Sequence, residues 1–141
     1  MPLQTFYFEF KYLLKNLYFS ADMLNSIPAA VGRLLISEPF MMDPNFKRSV
    51  ILITEYHEDG ALGFVLNHQG DSLLGDLLPD VSYSDIPVYS GGPVAADTLH
   101  FIHRCPDKIE GGLEICKGVY WGGDFEVVKD LINTYQLNTT E

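Results

Sequence analysis

His100, His103 and Cys105 crowd into six residues, the densest grouping of metal-ligating and nucleophilic side chains in the chain. A zinc site needs four convergent donors, or three and a water. If the segment is a strand, alternation puts His103 and Cys105 on one face and turns His100 away, so a third ligand is lacking. Arg104 and His103 could lower the thiol pKa of Cys105, and His103 could act as its base. No further group orients that histidine and no oxyanion hole can be named, so a plain strand cysteine is the preferred reading. Ser49 and Ser90 lie outside any nucleophile-elbow pattern. Cys116, the second of only two cysteines, completes neither a disulfide framework nor a zinc spacing. No metal and no cofactor is expected.

Gly91, Gly92 and Pro93 form a turn whose glycines permit positive φ and whose proline stops a ladder. Its amides could form an anion nest, but Pro93 removes one donor and no phosphate-loop lysine follows. Asp43, Pro44, Arg48 and Asn67 could gather near this turn as a polar patch, with His103 as a further contact residue. The bland reading makes Asp43 a loop cap before Pro44 and Arg48 its ion-pair partner.

Charge constrains the partners. Lys and Arg number 9 against 19 Asp and Glu, a formal charge of −10 over 141 residues. Without a basic footprint, direct nucleic-acid binding is disfavoured, and basic partners are favoured instead. The size suits one domain, and the sparse cysteines suit a cytoplasmic setting. No membrane span is expected: Glu9, Lys11 and Lys15 interrupt the apolar first 22 residues, which also lack the order of a signal peptide.

The elements that must position these groups follow from periodicity. Phe6, Phe10, Leu13, Leu14 and Leu17 give residues 3–19 a helical pattern. Residues 1–31 read as an extension and linker, or as a start placed too early, with Met23 as the first residue. Strands are predicted at Arg33–Ser37 and Ser49–Glu55, and the latter continues through a Glu58–Asp59–Gly60 turn into Ala61–Asn67 as a hairpin. Between the first two strands, Pro39 and Pro44 forbid a ladder while Phe40, Met41 and Met42 supply apolar contact surface, the mark of a structured functional loop. Asp71 or Ser72 can cap a short helix through Leu78, ended by Pro79. Strand signals follow at Ile86–Tyr89, Thr98–Arg104 and Gly118–Trp121. Asp124 then caps a helix whose apolar face is Val127, Val128, Leu131, Ile132 and Tyr135.

From Gly32 to Leu137 the chain resembles the AlgH/YqgE family of bacterial proteins. The resemblance rests on Gly32, Leu34 to Phe40, Asp43, Pro44, Phe46, Arg48, Ser49 and Val50. It continues through Glu55, Gly60, Gly63 and Val65 to Asn67, then Gly91 to Val94, Leu99 to His103, and Gly118 with Trp121 to Phe125. Tyr56 departs from the family's usual histidine, and His68-Gln69 from its usual basic residue and proline. Family members continue into a Gly-Tyr-Ser/Ala-Gly-Trp strand and a Gly-Gln-Leu helix start, so residues 32–141 resemble a domain lacking its C-terminal third, and a gene fragment is one reading.

The resemblance implies an α+β fold, a mixed and mostly antiparallel sheet curved toward a barrel with two or three helices. It also implies a cytoplasmic, non-enzymatic regulatory or adaptor protein, labelled a transcriptional regulator, that acts through protein contacts. The rival reading is a small anionic-ligand binder or enzyme using the 38–48 loop and the Gly91–Pro93 turn.

Overall fold

A computed structural model describes residues 27–82, 84–95 and 97–137. The helix expected over residues 3–19 lies outside them. Eight strands and two helices follow in the order β1 (Leu34–Ile36), β2 (Val50–His57), β3 (Gly60–Val65), β4 (Gln69–Leu73), α1 (Leu74–Leu77), β5 (Pro87–Tyr89), β6 (Ile102–His103), β7 (Leu113–Cys116), β8 (Val119–Trp121) and α2 (Phe125–Asn133). The strands form three small sheets, ordered β1-β2-β3, β4-β5 and β6-β8-β7. Every pairing among the described residues is antiparallel. The fold is therefore α+β, as expected, with separate sheets in place of one closed barrel.

β2 and β3 are the predicted hairpin, and branched side chains make β2 its buried spine, with Ile51, Leu52, Ile53 and Thr54 all at most 6% exposed. A bulge lies between Ile53 and Glu55. The residue inside it, Thr54, donates its hydroxyl to the Leu62 carbonyl, so a buried polar group is satisfied where the ladder skips. Gly63 faces β2 so closely that a Cβ there would sit 2.6 Å from the Leu52 carbonyl oxygen.

Two apolar clusters divide the core. One gathers Phe46, Ile51, Leu62, Phe64 and Val65, with Leu35, Met41, Ile102 and Trp121 packed against it. The other joins Leu74, Val88, Phe101, Cys105, Ile109 and Val128 beneath α2. Asp124 caps α2 as predicted, its carboxylate accepting from the Glu126 and Val127 amides. Tyr135, assigned to the apolar face of this helix, lies beyond its end at positive φ and is 71% exposed.

Three elements depart from expectation. Asp71 and Ser72 belong to β4, where every second residue is exposed; α1 begins only at Leu74, and the Asp76 carboxylate accepts the Leu73 amide. The strand expected at Thr98–Arg104 shrinks to Ile102–His103. β7 was not foreseen, since Glu114 interrupts its apolar run and glycines precede it.

Candidate functional site

The loop between β1 and β2 is built from both ends. At its β1 end, the Ser37 amide donates to the Ser49 carbonyl and the Ser49 amide to the Ser37 hydroxyl, at 3.0 and 2.7 Å. At its β2 end, Asn67 reaches across from the end of β3: its Oδ1 accepts the Val50 amide and its Nδ2 donates to the Arg48 carbonyl, each at 2.8 Å. A side-chain amide thus replaces a backbone partner on both sides of Ser49. Arg48 itself takes a left-handed conformation, φ 54°. Such a conformation is disfavoured for a residue with a Cβ, and the clamp holds it there.

Inside the loop, Asp43 caps a turn: its Oδ1 accepts the Asn45 amide and its carbonyl the amides of Phe46 and Lys47. Pro44 is exposed within that turn. Asp43 thus fills the capping role, but no ion pair joins it to Arg48 among the described residues. Phe46, 3% exposed, and Met41 anchor the loop in the core. Phe40 and Met42 point the other way, each 88% exposed. Their neighbours are equally unusual. Six of the eleven large apolar side chains exposed among the described residues (Ile27, Val31, Leu34, Ile36, Phe40 and Met42) fall in one stretch of sixteen residues. Residues 27–48 carry three basic and two acidic side chains, whereas residues 49–137 carry four basic against fourteen acidic. This segment combines exposed apolar side chains with a slight basic excess in an otherwise acidic protein.

Beneath the loop, Ser49 is buried at 1% exposure, and its Oγ lies 3.2 Å from His68 Nε2. The sequence reading missed this pair, because 19 residues separate its members. Ser49 Oγ also lies 3.4 Å from the Lys47 carbonyl. Enclosure withholds the oxygen from any substrate, so the pair stitches β2 to the chain after β3. The Gly91–Pro93 turn sits on the same side of that junction: the Val65 amide donates to the Gly91 carbonyl and the Ser90 amide to the His68 carbonyl. Gly92 has φ 140°, a conformation open to glycine. The structure therefore links Arg48, Asn67 and Gly91 through the β3–β4 junction.

His103 is not part of this group. It is 1% exposed; its Nδ1 accepts the Cys105 amide and its Nε2 lies 3.0 Å from the Gly122 carbonyl, which fixes the proton on Nε2. Its ring stacks on Tyr120, with centroids 5.6 Å apart. A Cβ on Gly112 would come within 2.8 Å of Nε2, so glycine there makes room for the ring. The contact role expected for His103 gives way to a buried structural one.

Cys105 Sγ lies 3.8 Å from the same Nδ1. His100 turns to the opposite side, where the Trp121 indole N–H donates to its Nδ1 at 3.2 Å and Phe64 lies alongside. Adjacent residues of β8, Tyr120 and Trp121, hold the two histidines apart. Burial pushes the pKa of both histidines down, partly offset at His103 by the bond to Gly122. A neutral imidazole with both nitrogens engaged in this way is no free base. Among the described residues, no three His, Cys, Asp or Glu side chains gather as a metal would require. A shallow apolar cleft lined by Phe64, Val65, Tyr89, Gly91, His100, Phe101 and Ile102 offers little polar anchoring.

Comparison with known proteins places this geometry. The model of a family described as AlgH-like matches residues 34–140. A UPF0301 protein of Chlorobaculum tepidum is 39% identical over 78% of this chain, and one of Bacteroides thetaiotaomicron 40% identical over 77%. The matches cover 59% and 55% of those relatives, so the chain spans little more than half of their length. The solution structure of the AlgH protein from Pseudomonas aeruginosa superposes with TM-score 0.58 at 27% identity, covering 78% of this chain and 62% of that one. A crystal structure of protein DIP2367 from Corynebacterium diphtheriae aligns with TM-score 0.66 at 18% identity, over 79% of this chain and 63% of that one, a likeness of fold.

Proposed function

Since the chain belongs to the AlgH-like family, we propose that it is a non-enzymatic regulatory or adaptor protein that works by docking onto other proteins through the β1–β2 loop. One observation carries the reading: Phe40 and Met42 are thrust 88% into solvent from a loop held by seven hydrogen bonds to Ser37, Asp43 and Asn67. Large exposed apolar side chains on a rigid support are the usual anchors of protein interfaces, because little ordering entropy is lost on binding. A net charge of −10 gives the remaining surface solubility and selectivity against nucleic acid. Any effect on transcription is accordingly indirect, and a cytoplasmic site of action goes with the reading. No helix among the described residues is long and apolar enough to cross a membrane.

The test is affinity capture from the lysate of a bacterium that carries a family member, comparing the parent chain with Phe40→Asp/Met42→Asp. Proteins retained by the parent and lost with the double variant support the loop as the docking element; identical retention removes it. Salt-sensitive, sequence-selective DNA binding in a gel shift would overturn the indirect mode.

The rival ligand-binding reading gains one observation, the linkage of Arg48 and Asn67 to the Gly91 turn. That linkage runs through the backbone carbonyl of Arg48. It predicts a thermal shift with an anionic metabolite that Arg48→Ala abolishes.

A further inference from the structure

We propose that β1 is a dimerisation edge, pairing antiparallel across a two-fold axis with β1 of a second copy. β1 ends its sheet, with β2 on one side only. Pairing with β2 uses alternate residues: Ser37 bonds to Ser49, and Arg33 accepts the Ile53 amide. In an antiparallel ladder this directs Leu35 toward β2 and the N–H and C=O groups of Leu34 and Ile36 to the open side. None of these four groups has a backbone partner among the described residues. The side chains of the same two residues are 55% and 69% exposed.

An open edge carrying apolar side chains is a template for another strand, and soluble proteins normally blunt one with lysine, proline or a bulge. Leu34, Leu35 and Ile36 supply none of these devices. β7 does not close the edge either: it meets the chain at Gly32, where a Cβ would lie 2.3 Å from the Ile115 carbonyl oxygen, and stops short of Leu34 in the sense that Leu34 and Ile36 remain exposed.

The register points to a second copy. A two-fold axis at Leu35 sets Leu34 opposite Ile36 of the other chain, and Ile36 opposite its Leu34. Both pairs are then hydrogen-bonded pairs, so all four outward groups on each strand are satisfied at once. The result is a continuous six-stranded sheet. Charge permits the same face: residues 27–48 carry three basic and two acidic side chains, so copies that meet there avoid the acidic surface that gives each its −10. Dimerisation leaves the loop apex at Phe40 and Met42 as the separate docking element proposed above, so the two ideas can fail independently.

The test is sedimentation of the full chain over a concentration series, with amide hydrogen exchange read at Leu34, Leu35 and Ile36. A concentration-dependent species of twice the chain mass is expected, tightening as salt screens the repulsion. The Leu34 and Ile36 amides should exchange more slowly as it forms, whereas Leu35, already bonded to β2, should not change. Ile36→Pro removes an N–H that β2 does not use, so the fold should persist while dimerisation weakens by about tenfold or more, the scale of a lost hydrogen-bonded pair at an edge. Ile36→Lys, a second edge-blocking change, should do the same. A chain that stays monomeric at all concentrations would overturn the proposal. So would a dimer indifferent to both Ile36 variants.

Discussion

Two polar knots hold this molecule together, one beneath the β1–β2 loop and one around His103, and they are built from similar parts to opposite ends. Each contains an imidazole, His68 in one and His103 in the other, and in each side-chain atoms take the place of backbone partners. At His103 both ring nitrogens are engaged by backbone and the ring stacks on Tyr120, so every bond points inward. At Ser37, Ser49 and Asn67 the bonds secure a loop that sends Phe40 and Met42 outward. The residue types alone would rank His103 with Cys105 as the place for chemistry. What separates the knots is whether anything beyond them faces solvent.

The largest expected effect breaks the inward knot. His103→Ala removes a buried ring together with its hydrogen bonds to the Gly122 carbonyl and the Cys105 amide, which should cost about 3 kcal/mol in denaturant unfolding. Capture of partners by the folded fraction should not change. Asn67→Ala, which unclamps Arg48 and Val50, should cost about 1–2 kcal/mol and should also weaken partner capture, because the loop base loses its support. If Asn67→Ala destabilises the chain and leaves capture intact, the rigid base is irrelevant to docking.

Just below neutrality, acid should act through the buried His103 and the half-buried His100. Their folded pKa values lie below the ordinary histidine value, so between the two the unfolded chain binds more protons. Stability should hold above about pH 6.5 and fall as pH drops below it, by no more than about 1.4 kcal/mol per pH unit for each histidine, levelling once the folded pKa is passed. His103→Gln should flatten the part of that slope due to His103. An unchanged slope would place the titration elsewhere. The smallest stability change belongs to the outward residues: Phe40→Asp should stay within about 0.5 kcal/mol of the parent, since nothing packs on that side chain.

Much of this was legible in the residues, and the failures have physical reasons. Branched side chains in Val50–Thr54 and the Glu58–Asp59–Gly60 turn announced the hairpin, and Asp124 announced α2, because these signals are local. Phe40 and the methionines of the loop stood out as apolar side chains between two prolines, but which of them the core would take in was not legible: Met41 turns inward while Phe40 and Met42 stay exposed. β4 was misread as the start of a helix, since Asp71 and Ser72 are cap-forming residues and its pairing with β5 is non-local. The Asn67 clamp and the Ser49–His68 contact join residues separated by 17 to 19 positions, and periodicity holds no signal for such bonds. The inward role of His103 depends on Gly112 and Gly122, which the chain brings to it from just before β7 and just after β8.

The decisive measurement takes Phe40→Asp/Met42→Asp and His103→Ala side by side, reading unfolding free energy and partner retention for each. The double variant should unfold like the parent and retain nothing specific, while His103→Ala should unfold far more readily and, where folded, retain the same partners. Full retention by the double variant, or a loss of stability in it as large as that of His103→Ala, would contradict an outward loop made for docking.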